Sequence, residues 1–274
     1  MKKVFLLIFV FAFTQANAQV KMPVLSPMQT FKQDFGMGTI EVAYCRPSMR
    51  GRKIFGDLLP YGELWRTGAN AATSIRFTDQ VIINDKKIDT GTYAIYTIPG
   101  EKKWTFILNK GVSNWGTTGY KDSDDVVRFS TDNIELKVPK ETFTMQLANL
   151  TTESCELHIM WEKSSIVIPI KTDVKPRLKL QIEAALQSDK KSYYQAAQYY
   201  NEYEKDPAKA LTYSKLAVAE RPEAYWIWLY QAKIQQKLGD KAGALESSKK
   251  SIEAAKKEKE DDYIRLNEDF QKTL

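Results

Sequence analysis

Four of the chain's nine arginines, Arg46, Arg50, Arg52 and Arg66, fall within 21 consecutive residues, where an even scatter would put fewer than one. A guanidinium presents a planar fork of donors that fits a carboxylate or phosphate through two parallel hydrogen bonds, so the cluster has the chemistry of an anion site. Tyr61, Trp65 and Asn70 share the stretch and add flat apolar surface and a bidentate amide, a combination suited to a sugar acid. Lys53 joins the cations, and only Asp57 and Glu63 oppose them. Arginines also pin long loops by bonding backbone carbonyls or pairing with carboxylates. Two outcomes are therefore open: forks that face a ligand, or forks that hold the loop.

Gly51, Gly56, Gly62 and Gly68 punctuate the segment densely, which makes it a shaped loop, the kind of element on which binding residues concentrate. Trp65 is expected to pack into the domain and anchor that loop. Arg66 and Asn70 then either brace its backbone or read a ligand, with Gly68 letting the chain turn between them. A second glycine-rich loop, "NKGVSNWGTTGY", carries Asn109, Asn114, Trp115 and Tyr120. It reads either as a stacking and hydrogen-bonding surface for sugar or as a long hairpin loop whose Trp115 covers the core.

Other groups carry less chemistry. His158, the single histidine, sits between Leu157 and Ile159 on an expected strand, with no serine or cysteine arrangement to act on. Asp122, Asp124 and Asp125 resemble half a calcium loop but lack the central glycine and distal glutamate, so a solvated acidic turn is expected. Cys45 and Cys155 are either two separate buried thiols or one bridge; strand alternation cannot place their Cα atoms. Two sulfurs and one histidine do not make a metal site, and no cofactor motif appears.

The elements that must position these groups divide the chain in two. From Met28 to about Val174, short runs such as "TIEVAY", "SIRFT", "TYAIYTI", "WTFIL", "TFTMQL", "CELHIMW" and "IVIPI" predict about nine strands. Pro99-Gly100 between two alternating runs predicts an antiparallel hairpin. Asp89, Gly91 and Tyr93 fall at the spacing of a tyrosine corner, in which a Tyr hydroxyl bonds back to the backbone where the chain crosses between sheets. The fold class expected is α+β multidomain: an antiparallel β-sandwich of immunoglobulin-like or Greek-key type over residues 25–172, then helices over 176–274. A helix over 177–187 opens the second part behind Pro176.

The helical part repeats itself. Asp206, Ala208, Ala210, Leu211, Ser214 and Lys215 recur 34 positions later as Asp240, Ala242, Ala244, Leu245, Ser248 and Lys249. In this period the half resembles the tetratricopeptide repeat family. Tyr194 and Trp228 take its first large position, Ala232 its small packing residue, Gly239 its turn and Pro222 its terminal proline. Gln198, Ser251 and Lys256 depart from the pattern. Such arrays usually dock a partner's peptide on the inner face.

"YCRPSMRGRKIFGDLLPYGELWRTGANAAT", followed by "GTY", "IPG", "WT", "NK" and "WG", resembles the exported bacterial proteins of the domain of unknown function 2911 family over roughly residues 25–172. The resemblance implies an exported domain with that boundary and brings no catalytic residue with it.

The first 18 residues read as a cleaved signal peptide, with Lys2 and Lys3, an apolar run from Val4 to Phe13, and Ala16-Asn17-Ala18 at the cut. Ten apolar residues are too few to span a bilayer core of about 30 Å, so no membrane span is expected after cleavage. Without Lys2 and Lys3, 38 basic residues face 34 acidic ones, and the net charge falls from +6 to +4. That mild excess on an exported chain argues against nucleic acid as a partner. The function expected is a periplasmic or secreted binding or adaptor protein. It would hold an anionic or carbohydrate-like ligand at Arg46, Arg50, Arg52, Tyr61, Trp65, Arg66, Asn70 and Trp115, and dock a protein partner through its helices. The alternative is an envelope hydrolase with Asp57 or Glu63 as acid-base group, Arg66 and Arg46 steadying a negative transition state.

Overall fold

The computed structural model describes residues 22–274; the expected signal peptide and its cut after Ala18 lie outside them. Among the described residues, ten strands precede six helices, an α+β architecture. The chain divides into two compact units, one built, among the described residues, on 22–34, 38–150 and 155–170, the other on 171–274 with the short stretches 35–37 and 151–154.

The strands are β1 (Met28–Phe35), β2 (Gly38–Cys45), β3 (Thr73–Phe77), β4 (Val81–Ile83), β5 (Lys86–Ile88), β6 (Gly91–Ile98), β7 (Lys103–Asn109), β8 (Asp125–Asp132), β9 (Ile134–Ala148) and β10 (Ser154–Lys171). They form two antiparallel sheets, one in the order β1-β2-β3-β6-β7-β8 and one in the order β5-β4-β10-β9. Ile40, Val42 and Tyr44 alternate inward along β2 and are all but inaccessible, as a strand with one buried face requires. Pro99-Gly100 lies in the hairpin between β6 and β7, where Ile98 faces Thr105. The Tyr93 hydroxyl donates to the Asp89 carbonyl at 2.9 Å, the corner that the residue spacing predicts.

β10 departs from expectation and positions the site. "CELHIMW" and "IVIPI" read as two strands but form one, 18 residues long. Cys155, Leu157, Ile159 and Trp161 are buried at odd positions, Ile166, Ile168 and Ile170 at even ones. The change of phase falls at Glu162, where the pairing with β9 is irregular, β9 supplying the extra residues of the bulge. Glu162 itself has a left-handed φ of 52°, and its carboxylate accepts the backbone N–H groups of Ile54 and Phe55 at 3.3 and 3.2 Å. The bulge thus holds the arginine-rich loop.

The helices are α1 (Lys175–Gln187), α2 (Tyr193–Glu202), α3 (Pro207–Glu220), α4 (Tyr225–Lys237), α5 (Lys241–Glu258) and α6 (Asp261–Gln271). The 34-residue period has a physical basis. Asp206 and Asp240 are the N-caps of α3 and α5, each accepting a backbone N–H three residues on at 2.9 Å. Ala210, Ala244, Ser214 and Ser248 are fully buried, small residues that let neighbouring helices close in, while Gly239 supplies the left-handed turn before α5. The serines are satisfied by side chains of the adjoining helices: Ser248 Oγ donates to Asn267 Oδ1 at 2.9 Å, and Ser214 Oγ to Gln231 Oε1 at 3.4 Å.

Cys45 and Cys155 are both buried and unbridged, and burial pushes the Cys155 thiol up to about 12. Asp206→Ala and Asp240→Ala are each expected to lower the stability of the helical unit by about 1 kcal/mol in chemical denaturation. Both thiols should titrate with Ellman's reagent in non-reducing denaturant, and Cys155 should stay silent in the native protein at neutral pH. Fewer than two thiols in denaturant would mean a bridge.

Candidate functional site

Trp65 organises the loop between β2 and β3. Its ring stacks on Trp161 at 5.9 Å between centroids and meets Trp104, Phe143 and Phe55 edge-on. Trp104 belongs to one sheet, Phe143 and Trp161 to the other, so one indole from the loop touches both. The Trp65 Nε1 donates to the Gly68 carbonyl at 3.0 Å, and the Trp65 backbone exchanges two hydrogen bonds with Thr97 on β6, at 2.8 and 2.9 Å. Gly68 is required by close approach, since a Cβ there would lie 2.9 Å from Thr73 Oγ1 and 3.1 Å from the Cys45 carbonyl. Arg66 and Thr67 lie between these two anchored points, and the Arg66 carbonyl is held by the Thr73 N–H at 3.3 Å.

The four arginines do not converge. Arg46 donates from Nε to the Phe143 carbonyl at 3.1 Å and from Nη2 to Thr144 Oγ1 at 3.0 Å, both on β9. Arg50 donates to the Leu25 carbonyl at 3.0 Å, and its own backbone N–H is taken by Glu141. Arg52 donates twice, to the Met49 and Ser48 carbonyls at 2.9 and 2.8 Å. These three brace the segment that runs beside β9. Arg66 differs: its Nε is buried and has no hydrogen-bond partner among the described residues. A buried guanidinium N–H left unpaired is costly, and Trp104 Nε1 and Asn133 Oδ1 are likewise buried without a partner among the described residues.

Arg66 lines a cleft of about 380 Å³ together with Arg52, Trp65, Trp161, Leu58 and Leu59, among others. One face of this cleft is apolar and one is cationic, and no carboxylate is among its lining residues. Asp57 and Glu63, the acid-base groups of the hydrolase alternative, are exposed on the loop and do not line it. Tyr61 is 40% exposed and outside the lining. Burial, and behind it Glu101 and Glu162, raise its hydroxyl above the usual range, so it remains a neutral donor. Asn70, with a left-handed φ of 61°, is exposed one residue beyond the cleft-lining Ala69.

The second loop is built by its polar residues. Asn114 donates to the Tyr96 hydroxyl at 3.1 Å, and Asn109 donates to the Lys121 carbonyl and to Asp125 at 2.9 and 2.8 Å. Trp115 does not cover the core: it is 70% exposed, because its neighbour Asn114 takes the inward place. Asp125 is filled by donors rather than poised for calcium, accepting from Tyr120 at 3.0 Å and Arg128 at 2.9 Å as well as Asn109. Burial first, and then this bond to Asp125, push the Tyr120 hydroxyl up to about 12. His158 pairs with Glu156 at 2.8 Å on a part-exposed strand face, and that bond lowers the carboxyl of Glu156.

Residues 26–170, more than half the chain, match the family model described as "Protein of unknown function (DUF2911)". The chain belongs to the DUF2911 family. The match contains both loops, the cleft and every strand that carries them, and ends within β10, so the tetratricopeptide resemblance of the helices stands on their own residues. No curated protein matches the chain.

The DUF2911 cleft contains residues that the sequence did not single out. Trp161 looked like one more inward residue of an alternating strand, and its place beside Arg66 needs the pairing of distant strands. Leu58 and Leu59 had a signal, an adjacent apolar pair in a loop rich in glycine and charge. The different partners of the arginines generate opposite expectations. Arg46→Ala should lower stability by about 1–3 kcal/mol in urea unfolding, because it strips donors from part-buried β9 acceptors. Arg66→Met should leave stability equal or higher, since it removes a buried donor that bonds nothing.

Proposed function

We propose that this protein is an exported binding protein whose DUF2911 domain holds a small anionic ligand with a partly apolar body in the Arg66 cleft. The observation that carries this reading is the buried, unpartnered Nε of Arg66 beside an apolar wall of Trp161, Leu58 and Leu59. A carboxylate or phosphate oxygen in the cleft would pair with the part of the Arg66 guanidinium that lines it, and the charge-assisted bond gains strength from the low dielectric around the buried Nε. The apolar wall would cover the remainder of the ligand. Arg52, its fork already held by two carbonyls, contributes a fixed positive charge that attracts the anion without moving.

Export follows from the leader-like first 18 residues, and the helices are the part proposed to dock a protein partner. The 34-residue period, with its repeated caps and buried alanines, supports a tetratricopeptide-like array. Among the described residues no helix is long and apolar enough to cross a membrane.

Thermal unfolding of the leader-free chain with inorganic phosphate, acetate and benzoate at matched ionic strength tests the reading. A ligand that binds only the folded state raises Tm with its concentration. Benzoate is expected to raise it more than acetate, and Arg66→Met to abolish the rise. The reading fails if no anion stabilises the protein or if the variant responds as the parent does.

A further inference from the structure

Beyond the cleft, the structure exposes an indole on the residue before Gly116, which abuts the same guanidinium. Trp115 is 70% exposed on a loop whose backbone is fixed from within. Asn114 bonds Tyr96, the Gly111 N–H donates to Asn109 Oδ1 at 2.7 Å, and Trp115 forms a β-bridge with Ala71. The loop carries Gly116 at a φ of 67°, where a Cβ would lie 3.3 Å from Arg66 Nη1. The peptide that presents Trp115 therefore runs directly beside the Arg66 fork. Asn70 joins the two features: it follows the cleft-lining Ala69 and precedes Ala71, the partner of Trp115. The Ala71–Trp115 bridge and the contact of Gly116 with the Arg66 fork thus bring to one neighbourhood a cation, an exposed bidentate amide and an exposed indole.

We propose that this surface binds a uronic acid residue of a glycan, its carboxylate on Arg66, its hydroxyls on Asn70 and its pyranose face on Trp115. The inference rests on the anion-binding reading above and narrows it to a sugar acid. The chemistry of each group selects the class. A six-membered sugar ring has an apolar face of axial C–H groups that packs flat on an indole, and vicinal hydroxyls that match the donor and acceptor of one side-chain amide. A uronic acid sets a carboxylate on that same ring. Phosphate lacks the apolar face, and a neutral hexose leaves the Arg66 donor unpaired. Holding a large apolar ring rigidly in water has no packing benefit for the fold, since Asn114 and Tyr96 already close the core beneath the loop.

Calorimetric titration of the leader-free chain with digalacturonate, galactose and acetate, on the parent and on Trp115→Ala, Asn70→Ala and Arg66→Met, tests it. Digalacturonate is expected to bind at least tenfold tighter than either acetate or galactose. Trp115→Ala should weaken digalacturonate about tenfold and leave acetate unchanged, Asn70→Ala should weaken digalacturonate alone, and Arg66→Met should abolish both acids. Trp115 and Asn70 are exposed, so thermal unfolding of their variants, unchanged for Trp115→Ala and lowered only slightly for Asn70→Ala by its left-handed φ, separates lost binding from lost fold. If acetate binds through Arg66 but digalacturonate binds no tighter, or is indifferent to Trp115→Ala, the uronate inference is overturned while the anion reading stands. If no acid depends on Arg66, both fall.

Discussion

The insertion of Trp65 between the two sheets is the contact on which the rest of the DUF2911 domain depends. An indole gains most when its faces meet other rings and its N–H finds an acceptor, and here it stacks on Trp161, meets Trp104, Phe143 and Phe55 edge-on, and bonds the Gly68 carbonyl. Because the Trp65 backbone also joins β6 through Thr97, the loop is tied at one residue by both side chain and main chain. The next residue has little freedom. Arg66 must extend from a fixed point, and its Nε is buried there without an acceptor among the described residues.

This arrangement explains why four nearby arginines take different roles. Arg46, Arg50 and Arg52 lie on the part of the loop that runs along β9, where backbone carbonyls are in reach, and each fork ends on them. Their work is to hold a long glycine-rich segment that has too few ladder bonds of its own. Arg66 lies past the turn, against rings. Retaining an unsatisfied donor there opposes stability, and sites where function and stability pull apart are where such groups persist. The bulge at Glu162 contributes from the other side, turning its carboxylate onto Ile54 and Phe55 and thereby setting the wall that Leu58 and Leu59 complete.

Much of this was legible in the sequence where the cause is local. Tyr93 bonds Asp89 because a corner needs a hydroxyl four residues from a free carbonyl, and Asp206 and Asp240 recur because each α3- and α5-type helix needs a cap. Non-local features were not legible. The shift of phase in β10 divided one strand into two apparent ones, and β1, whose polar and apolar residues alternate around Lys32, Gln33 and Asp34, gave no clear run. Proximity along the chain suggested one arginine site, but the partners differ: Arg46 bonds β9 about a hundred residues downstream, Arg50 the Leu25 carbonyl and Arg52 carbonyls three and four residues back. Trp115 was placed over the core by its size; a smaller neighbour, Asn114, made the better inward contact with Tyr96.

The account turns on one side chain, the Arg66 guanidinium, whose Nε senses an anion bound against it. Nitrogen-15 correlation spectra of the arginine Nε–H groups, recorded while digalacturonate is added at constant ionic strength, observe that atom directly. The account predicts a saturable downfield movement of the Arg66 signal with those of Arg46 and Arg52 unmoved. An Arg66 signal that stays in place at saturating sugar acid, or that drifts in parallel with every other arginine, would contradict it.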